Sequence, residues 1–202
     1  MKYIIAITGP SGSGKTTLSD LLHERDGYIV PKHCTTREPR KDDTKGFYRY
    51  LKHTKCARLK EKNKFLIISG DSEIIKKENG KFYGVLLKDC KKAFAKGDII
   101  LLLISYKDVK NLLAHESKDL KILVLNLTFE DIKNTIIQRI CTSDRSHSNS
   151  DVENRISSAI ELREQYKDIF EMENVFTIYT DVNGIEKTYK IANQKIKEFT
   201  NN

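Results

Sequence analysis

Short apolar runs alternate along the chain with stretches in which apolar residues recur every three or four positions. The runs are Tyr3–Thr8, Phe65–Ser69, Asp98–Ile104, Ile122–Leu127 and Val175–Tyr179. A shorter piece at Tyr28–Val30 fits either a strand or a connection. Near-continuous apolar strands between amphipathic helices are typical of a sheet covered on both faces. The pattern predicts an α/β protein with three layers, α/β/α, around a mostly parallel five-stranded sheet.

Two regions interrupt this alternation. In residues 33–86, Phe47–Leu51 alternates between large and polar side chains, which predicts a short antiparallel strand. In residues 138–155, Cys141–Asn149 is polar and rich in turn-forming residues, which predicts a mobile loop. No repeat or linker divides the chain. We therefore expect one domain over residues 1–202, with insertions at about 33–86 and about 138–155.

A phosphate-binding motif follows the first apolar run. Gly9–Thr17 fits G-x-x-x-x-G-K-[ST], and a helical stretch comes directly after it. Its glycines let main-chain amides approach a phosphate, and the start of the next helix adds positive potential. The loop predicts binding of a nucleoside triphosphate, with Lys15 on the β- and γ-phosphates and the Thr16 hydroxyl on Mg²⁺. The predicted ATP-binding residues are Gly9, Ser11, Gly12, Ser13, Gly14, Lys15, Thr16 and Thr17.

Composition narrows the setting and the partners. The 202 residues suit a single domain, and the formal net charge is +8. Because the lysines are dispersed, we expect no nucleic-acid partner; a cleft for several phosphates also accounts for positive charge. No apolar run is long enough to span a bilayer, and no signal peptide precedes the first strand, so no membrane partner is expected. Four scattered cysteines predict a reducing cytoplasmic location.

A second cluster of anion-binding residues follows the first helix. Thr35–Arg40 reads T-T-R-E-P-R, so two arginines lie three residues apart and Pro39 stiffens the chain between them. Paired guanidinium groups can hold one phosphate, and nearby tyrosine hydroxyls can add donors. An R-x-P-R pair alone is a weak signal, but its position after a phosphate-binding loop makes it a strong one.

These motifs together resemble the guanylate kinase family. The shared elements are Gly9–Thr17, Thr35–Arg40, Gly46–Tyr48 and the pair Tyr83-Gly84. The resemblance covers nearly the whole chain and is weakest in its last third. It implies a P-loop NTPase fold, in which residues 33–86 form an acceptor-binding region and residues 138–155 a mobile lid.

The resemblance also implies an activity, the ATP-dependent phosphorylation of a nucleoside monophosphate, with GMP as the family's acceptor. The residues that match its acceptor-phosphate positions are Arg37, Arg40, Tyr48 and Tyr83. Tyr48 needs a one-residue gap in the alignment, and Tyr50 is the alternative. With Lys15 and Arg37, the lid arginines Arg139, Arg145 and Arg155 would act on the transferring phosphoryl group.

The departures from the family pattern all concern base recognition and metal binding. Ile67 stands where the family has an acid, His33 and Val85 replace hydroxyl residues, and an acidic strand end becomes Leu103-Ile104-Ser105. Without those acids, the N–H donors of guanine lose their acceptors, at a cost of about 1–3 kcal/mol each. Asp71 or Glu73 could supply a replacement, and Asp71 could also assist Thr16 at the metal. We interpret His33 as an exposed residue rather than a ligand of the base or sugar.

Three functions are therefore compatible with the sequence. The first is a nucleoside monophosphate kinase that acts on GMP. The second keeps the phosphoryl transfer but uses another nucleotide or a ribose bisphosphate as the acceptor. The third is a non-catalytic phosphopeptide-binding module, against which Lys15, Thr16 and the lid arginines argue.

Overall fold

A computed structural model describes residues 1–40, 43, 46–69, 81–141 and 149–201. The strands are β1 (Lys2–Thr8), β2 (His33–Thr35), β3 (Tyr48–Tyr50), β4 (Phe65–Ser69), β5 (Tyr83–Leu86), β6 (Ile99–Leu103), β7 (Leu120–Thr128) and β8 (Val175–Tyr179). The α-helices are α1 (Lys15–Asp26), α2 (His53–Glu61), α3 (Leu87–Phe94), α4 (Val109–Leu113), α5 (Ile132–Cys141), α6 (Asn149–Gln165) and α7 (Thr180–Asn201). Short 3₁₀ helices cover Tyr106–Asp108 and Lys167–Glu171.

The first sheet is parallel, in the order β6-β1-β7-β8. Because successive strand residues point to opposite faces, Ile4 and Ala6 of β1 pack into one core layer while Ile5 and Ile7 pack into the other. The first layer includes residues of α3 and α4, and the second includes residues of α1 and α7. The predicted α/β architecture is confirmed.

The prediction assigned one strand, Phe65–Ser69, to the wrong sheet. Phe65–Ser69 is β4, which lies in the second sheet and pairs antiparallel with β5. The fifth position in the parallel sheet belongs instead to the Tyr28–Val30 piece, where Ile29 forms a single parallel bridge with Ile100 of β6. An apolar run shows that a strand is buried, but it does not show which sheet buries it.

The second sheet has the order β3-β2-β5-β4 and is the core of the predicted insertion. The predicted strand around Tyr48–Tyr50 is present, but its antiparallel pairing was wrong, because β3 runs parallel to β2. The chain between these strands, residues 36–47, provides the long connection that a parallel pair requires.

His33 joins the second sheet to the first. Its Nδ1 lies 3.0 Å from the Pro31 carbonyl oxygen, and the Leu103 amide at the end of β6 donates to its Nε2 over 3.1 Å. The ring stacks on Phe47 at 4.6 Å and is 4% exposed. Because a carbonyl only accepts and an amide N–H only donates, Nδ1 carries the proton. The expectation of an exposed His33 is therefore wrong; contacts distant in sequence bury it.

The predicted lid region includes parts of two helices, α5 and α6, that pack against each other next to the end of β7. Ile132 and Ile136 of α5 form a small apolar cluster with Phe129 and with Ala159 of α6. The centre of the predicted mobile loop, residues 142–148, lies outside the described residues, and so do residues 70–80 with Asp71 and Glu73.

Three cysteines, Cys34, Cys56 and Cys90, are buried free thiols. Burial raises the pKa of Cys56 and of Cys90 to about 12, so neither carries much thiolate at neutral pH. Across the described ranges, no helix combines the length and apolarity that crossing a bilayer requires.

Gly84 is required where β4 and β5 approach each other. A Cβ at this position would lie 2.7 Å from the Ile67 carbonyl oxygen and 2.8 Å from Phe82 Cζ. We expect Gly84→Ala to lower the free energy of unfolding, measured by urea denaturation, by about 1–3 kcal/mol because packed backbone must move. Gly97→Ala is the matched control, because its nearest atom, Ile29 Cγ1, is 3.4 Å away. Equal losses in the two variants would contradict this reading.

The buried His33 makes stability depend on pH. Burial lowers the pKa of His33 to about 4, from 6.5 for an unfolded chain. Between these values the unfolded state binds more protons, so stability falls as pH decreases from 6.5 toward 4, by about 3 kcal/mol for this group. The measurement is urea denaturation at a series of pH values. His33→Gln does not titrate and should flatten that part of the profile; identical slopes for wild type and variant would rule His33 out as the cause.

Candidate active site

One cavity of about 590 Å³ lies where the two sheets meet. The phosphate-binding loop contributes Gly9, Ser11, Lys15 and Thr16. The second sheet and its loops contribute His33, Arg40, Tyr48, Ser69, Lys81 and Tyr83. The segment after β6 contributes Leu103, Ile104, Ser105 and Lys107. Residues from both predicted anion-binding clusters therefore line the same space.

The loop conformation depends on glycine at its first position. Gly9 has a φ of 144°, and a Cβ there would lie 2.1 Å from the Leu127 carbonyl oxygen. Gly14, with φ 88°, precedes α1, so the first amides of that helix face the loop. The Ser13 Oγ is buried and has no hydrogen-bond partner among the described residues. Amides and an unused hydroxyl of this kind suit a phosphate group.

Lys15 is folded against the loop. Its Nζ donates to the carbonyl oxygens of Gly9 and Pro10 over 2.8 and 2.7 Å. Burial lowers the pKa of this amine to about 8. Phosphate oxygens in the loop would favour the ammonium form again, so the group is suited to respond to an anion.

Thr16 satisfies one condition for a metal site. It is exposed at the start of α1 and lines the cavity, so its hydroxyl can reach an ion bound between phosphates. Ser11 and Thr17 are also exposed, and Gly12 belongs to the same turn. The described residues contain no cluster of three His, Cys, Asp or Glu side chains. This donor set fits Mg²⁺, which keeps waters and phosphate oxygens as ligands and does not need an all-protein cage.

The two arginines of T-T-R-E-P-R have different surroundings. Arg40 lines the cavity, whereas Arg37 is 8% exposed and makes a two-pronged ion pair with Asp43, with Nη1–Oδ2 at 2.7 Å. Hydrogen bonds within this pair raise the pKa of Arg37 and hold that of Asp43 well below its usual range. The Arg37 guanidinium also lies 4.7 Å from the centre of the Tyr48 ring. Arg37 is therefore not part of the cavity wall, although it contacts Tyr48, which is.

The geometry distinguishes Tyr48 from Tyr50. Tyr48 lines the cavity and lies 6.5 Å, centre to centre, from the Tyr83 ring. Tyr50 is 39% exposed, and its hydroxyl donates to Asp43. Tyr48 and Tyr83 are therefore the tyrosines that can reach a ligand together with Arg40.

Of the three predicted lid arginines, the structure places one, Arg139, at the phosphate-binding loop. Arg139, on α5, donates to the Gly12 carbonyl oxygen and, over 3.1 Å, to the Thr180 carbonyl oxygen. Its guanidinium lies 4.9 Å from the Phe129 ring centre, and burial lowers its pKa. Arg139 therefore holds a charge at the rim of the loop. Arg155 is half-buried on α6 and is not part of the cavity wall, and Arg145 lies outside the described residues.

The part of the cavity wall formed by the end of β4 and the segment after β6, called the far wall below, differs from the sequence analysis, which assigned base recognition to the positions of Ile67 and Val85. Ile67 and Val85 are paired across β4 and β5 and belong to the apolar core, so neither belongs to the wall. The β4 residue in the wall is Ser69, next to Ser105. Lys81 and Lys107 also line the cavity, and the sequence analysis did not identify them. For Lys81, a signal was available in its position two residues before the pair Tyr83-Gly84.

Comparisons with known proteins find similarity to guanylate kinases. A family model described as "Guanylate kinase" matches residues 1–199. A guanylate kinase of Clostridioides difficile is 28% identical over 204 residues, which span 98% of this chain and 92% of the relative. A guanylate kinase of Prochlorococcus marinus is 29% identical over 143 residues, covering 69% of this chain and 73% of that protein.

A solved structure supports the fold. The crystal structure of guanylate kinase from Anaplasma phagocytophilum aligns with a TM-score of 0.68 over 98% of this chain and 85% of the other, at 16% identity. That identity is low enough for the likeness to speak for the architecture only. The match over nearly the whole chain is what establishes the relationship, and the family expected from the motifs is confirmed: this chain belongs to the guanylate kinase family.

Proposed function

We propose that this protein transfers the γ-phosphoryl group of ATP to GMP, producing ADP and GDP. One observation carries the proposal: the phosphate-binding loop and the cluster of Arg40, Tyr48 and Tyr83 line the same cavity. Two anion-binding surfaces that share one space suit a reaction between two phosphates. The names of the relatives supply the nucleotide, since they are guanylate kinases.

The reaction needs positioning and charge rather than a protein nucleophile. An oxygen of the acceptor phosphate attacks Pγ, the bond from Pγ to the β–γ bridging oxygen breaks, and the electron pair leaves with ADP. Arg40, Tyr48 and Tyr83 would hold the acceptor phosphate, with Arg37 and Asp43 fixing the Tyr48 side of the site. Lys15 and the loop amides would hold the donor phosphates, and Arg139, Arg145 and Arg155 would neutralise the transferring group.

Mg²⁺ is part of the proposal, with Thr16 as its protein ligand. When bound, the ion neutralises charge on the β- and γ-phosphate oxygens. The exposed hydroxyl of Thr16 beside Lys15 supports this role. We further propose that the protein works in a reducing cytoplasm, which the three buried free thiols favour.

A coupled assay of ADP release with Mg-ATP tests the function. The acceptor panel is GMP, dGMP, AMP, UMP, CMP and ribose 1,5-bisphosphate, and we expect turnover with GMP. Lys15→Ala should abolish turnover with every acceptor because it removes the cation at the donor phosphates. Arg40→Ala should raise KM for GMP about tenfold or more, while KM for ATP changes little, because one charge-assisted hydrogen bond is lost.

Arg58→Ala is the matched control, since Arg58 is exposed on α2 and outside the cavity. It should keep both KM values. Turnover of ribose 1,5-bisphosphate in place of GMP would replace the proposed acceptor. No turnover with any acceptor, together with tight binding of a phosphopeptide, would replace the enzyme with a scaffold.

A further inference from the structure

Three polar side chains meet at the far wall of the cavity. Ser69 ends β4, Ser105 follows β6, and Asp108 ends the 3₁₀ helix. Both serine hydroxyls donate to the same oxygen, Asp108 Oδ2, and the distance from Ser105 Oγ is 2.6 Å. The two Oγ atoms lie 3.4 Å apart. The serines line the cavity, whereas Asp108 is 3% exposed and lies behind them.

This arrangement fixes the direction of the serine protons. An ionised carboxylate can only accept hydrogen bonds, so each serine directs its single proton to Asp108. The oxygen of each hydroxyl then has lone pairs left for the cavity. Two neighbouring hydroxyls that could each donate or accept are thereby converted into a pair of acceptors.

A pair of acceptors selects a ligand edge that carries adjacent donors. The edge of guanine presents N1–H and the N2 amino group side by side, whereas adenine presents an acceptor, N1, beside its amino group. Adenine N1 would face a serine lone pair, so two acceptors would be buried against each other without a hydrogen bond between them. That arrangement disfavours adenine. Lys107 lines the same cavity and can only donate, so it is available to the guanine O6.

We propose that Ser69 and Ser105, oriented by Asp108, select guanine in the acceptor. This inference rests on the proposed function, because it concerns the acceptor end of the same cavity. Ser69 and Ser105 contact the base, and Asp108 is a positioning residue that acts through them. In this chain, two serine hydroxyls that accept hydrogen bonds, held by one buried carboxylate, thus replace the acids that the family pattern has for base recognition.

The test compares kcat/KM for GMP, IMP and AMP in the wild type, Ser69→Ala, Ser105→Ala and Asp108→Asn. Each serine variant should lower kcat/KM for GMP about tenfold, the effect of one hydrogen bond to a partner left unpaired. IMP lacks the N2 amino group, so one of the two serine variants should affect IMP much less than GMP. Ser117→Ala, exposed and outside the cavity wall, is the control and should match wild type.

Asp108→Asn separates orientation from contact. The Asn amide can donate to the serine oxygens, which frees their protons to turn toward the ligand, so the preference for GMP over AMP should fall at least tenfold. Because Asp108 is buried, its variant could also lose stability, and thermal unfolding measures that directly. The serine variants test the proposal independently of that result.

The outcomes distinguish this inference from the proposed function. An unchanged GMP-to-AMP ratio in both serine variants overturns the inference, even in a fully active guanylate kinase. If the wild type turns over no acceptor, the inference is tested by binding instead. GMP and AMP are each titrated calorimetrically into the protein in the presence of a non-hydrolysable ATP analogue. A GMP preference that the serine variants lose supports the inference without the kinase activity, whereas no binding of GMP, or binding independent of the serines, overturns it.

Discussion

Two phosphates of like charge must come within about 3 Å of each other before one can be transferred to the other, and repulsion opposes that approach. Cations and main-chain donors at this cavity can offset that repulsion. Lys15 and Arg139 contact the phosphate-binding loop, where the first amides of α1 also lie. Arg40 lines the same cavity as Lys15, and Arg37 nearby is held in an ion pair with Asp43. The rest of the fold keeps the phosphate-binding loop and the second sheet in place around this cavity.

One contact that links the two sheets is an uncharged hydrogen bond. His33 of β2 accepts the Leu103 amide at the end of β6, which is the strand that leads to Ser105. Burial keeps the imidazole uncharged at neutral pH, so the joint adds no further positive charge to a site already crowded with cations. The two serines also meet where the sheets adjoin, since Ser69 ends β4 and Ser105 follows β6, and their Oγ atoms lie 3.4 Å apart.

Local motifs identified the loop residues that line the cavity, but they did not identify the residues of its far wall. Gly9–Thr17 works through adjacent residues, so its geometry follows from the sequence alone. Ile67 and Ser69 lie on the same face of β4, and only their positions along the strand separate them: Ile67 packs in the apolar core, whereas Ser69 at the strand end lines the cavity. The sequence pattern does not show where along β4 the core ends and the cavity begins. The contact of Asp108 with the serines was hidden for another reason: Ser105-x-x-Asp108 resembles a helix cap, yet the Ser105 hydroxyl bonds the aspartate side chain itself.

The central claim is that donor and acceptor phosphates bind in one continuous cavity. Calorimetric titration with an adenosine–guanosine dinucleoside polyphosphate tests it most directly. The account predicts that one ligand binds per chain, that both ATP and GMP compete with it, and that it binds at least about a hundredfold more tightly than either nucleotide, because the second contact becomes intramolecular. A ligand that competes with ATP alone and binds no more tightly than ATP would show that the two sites are not joined.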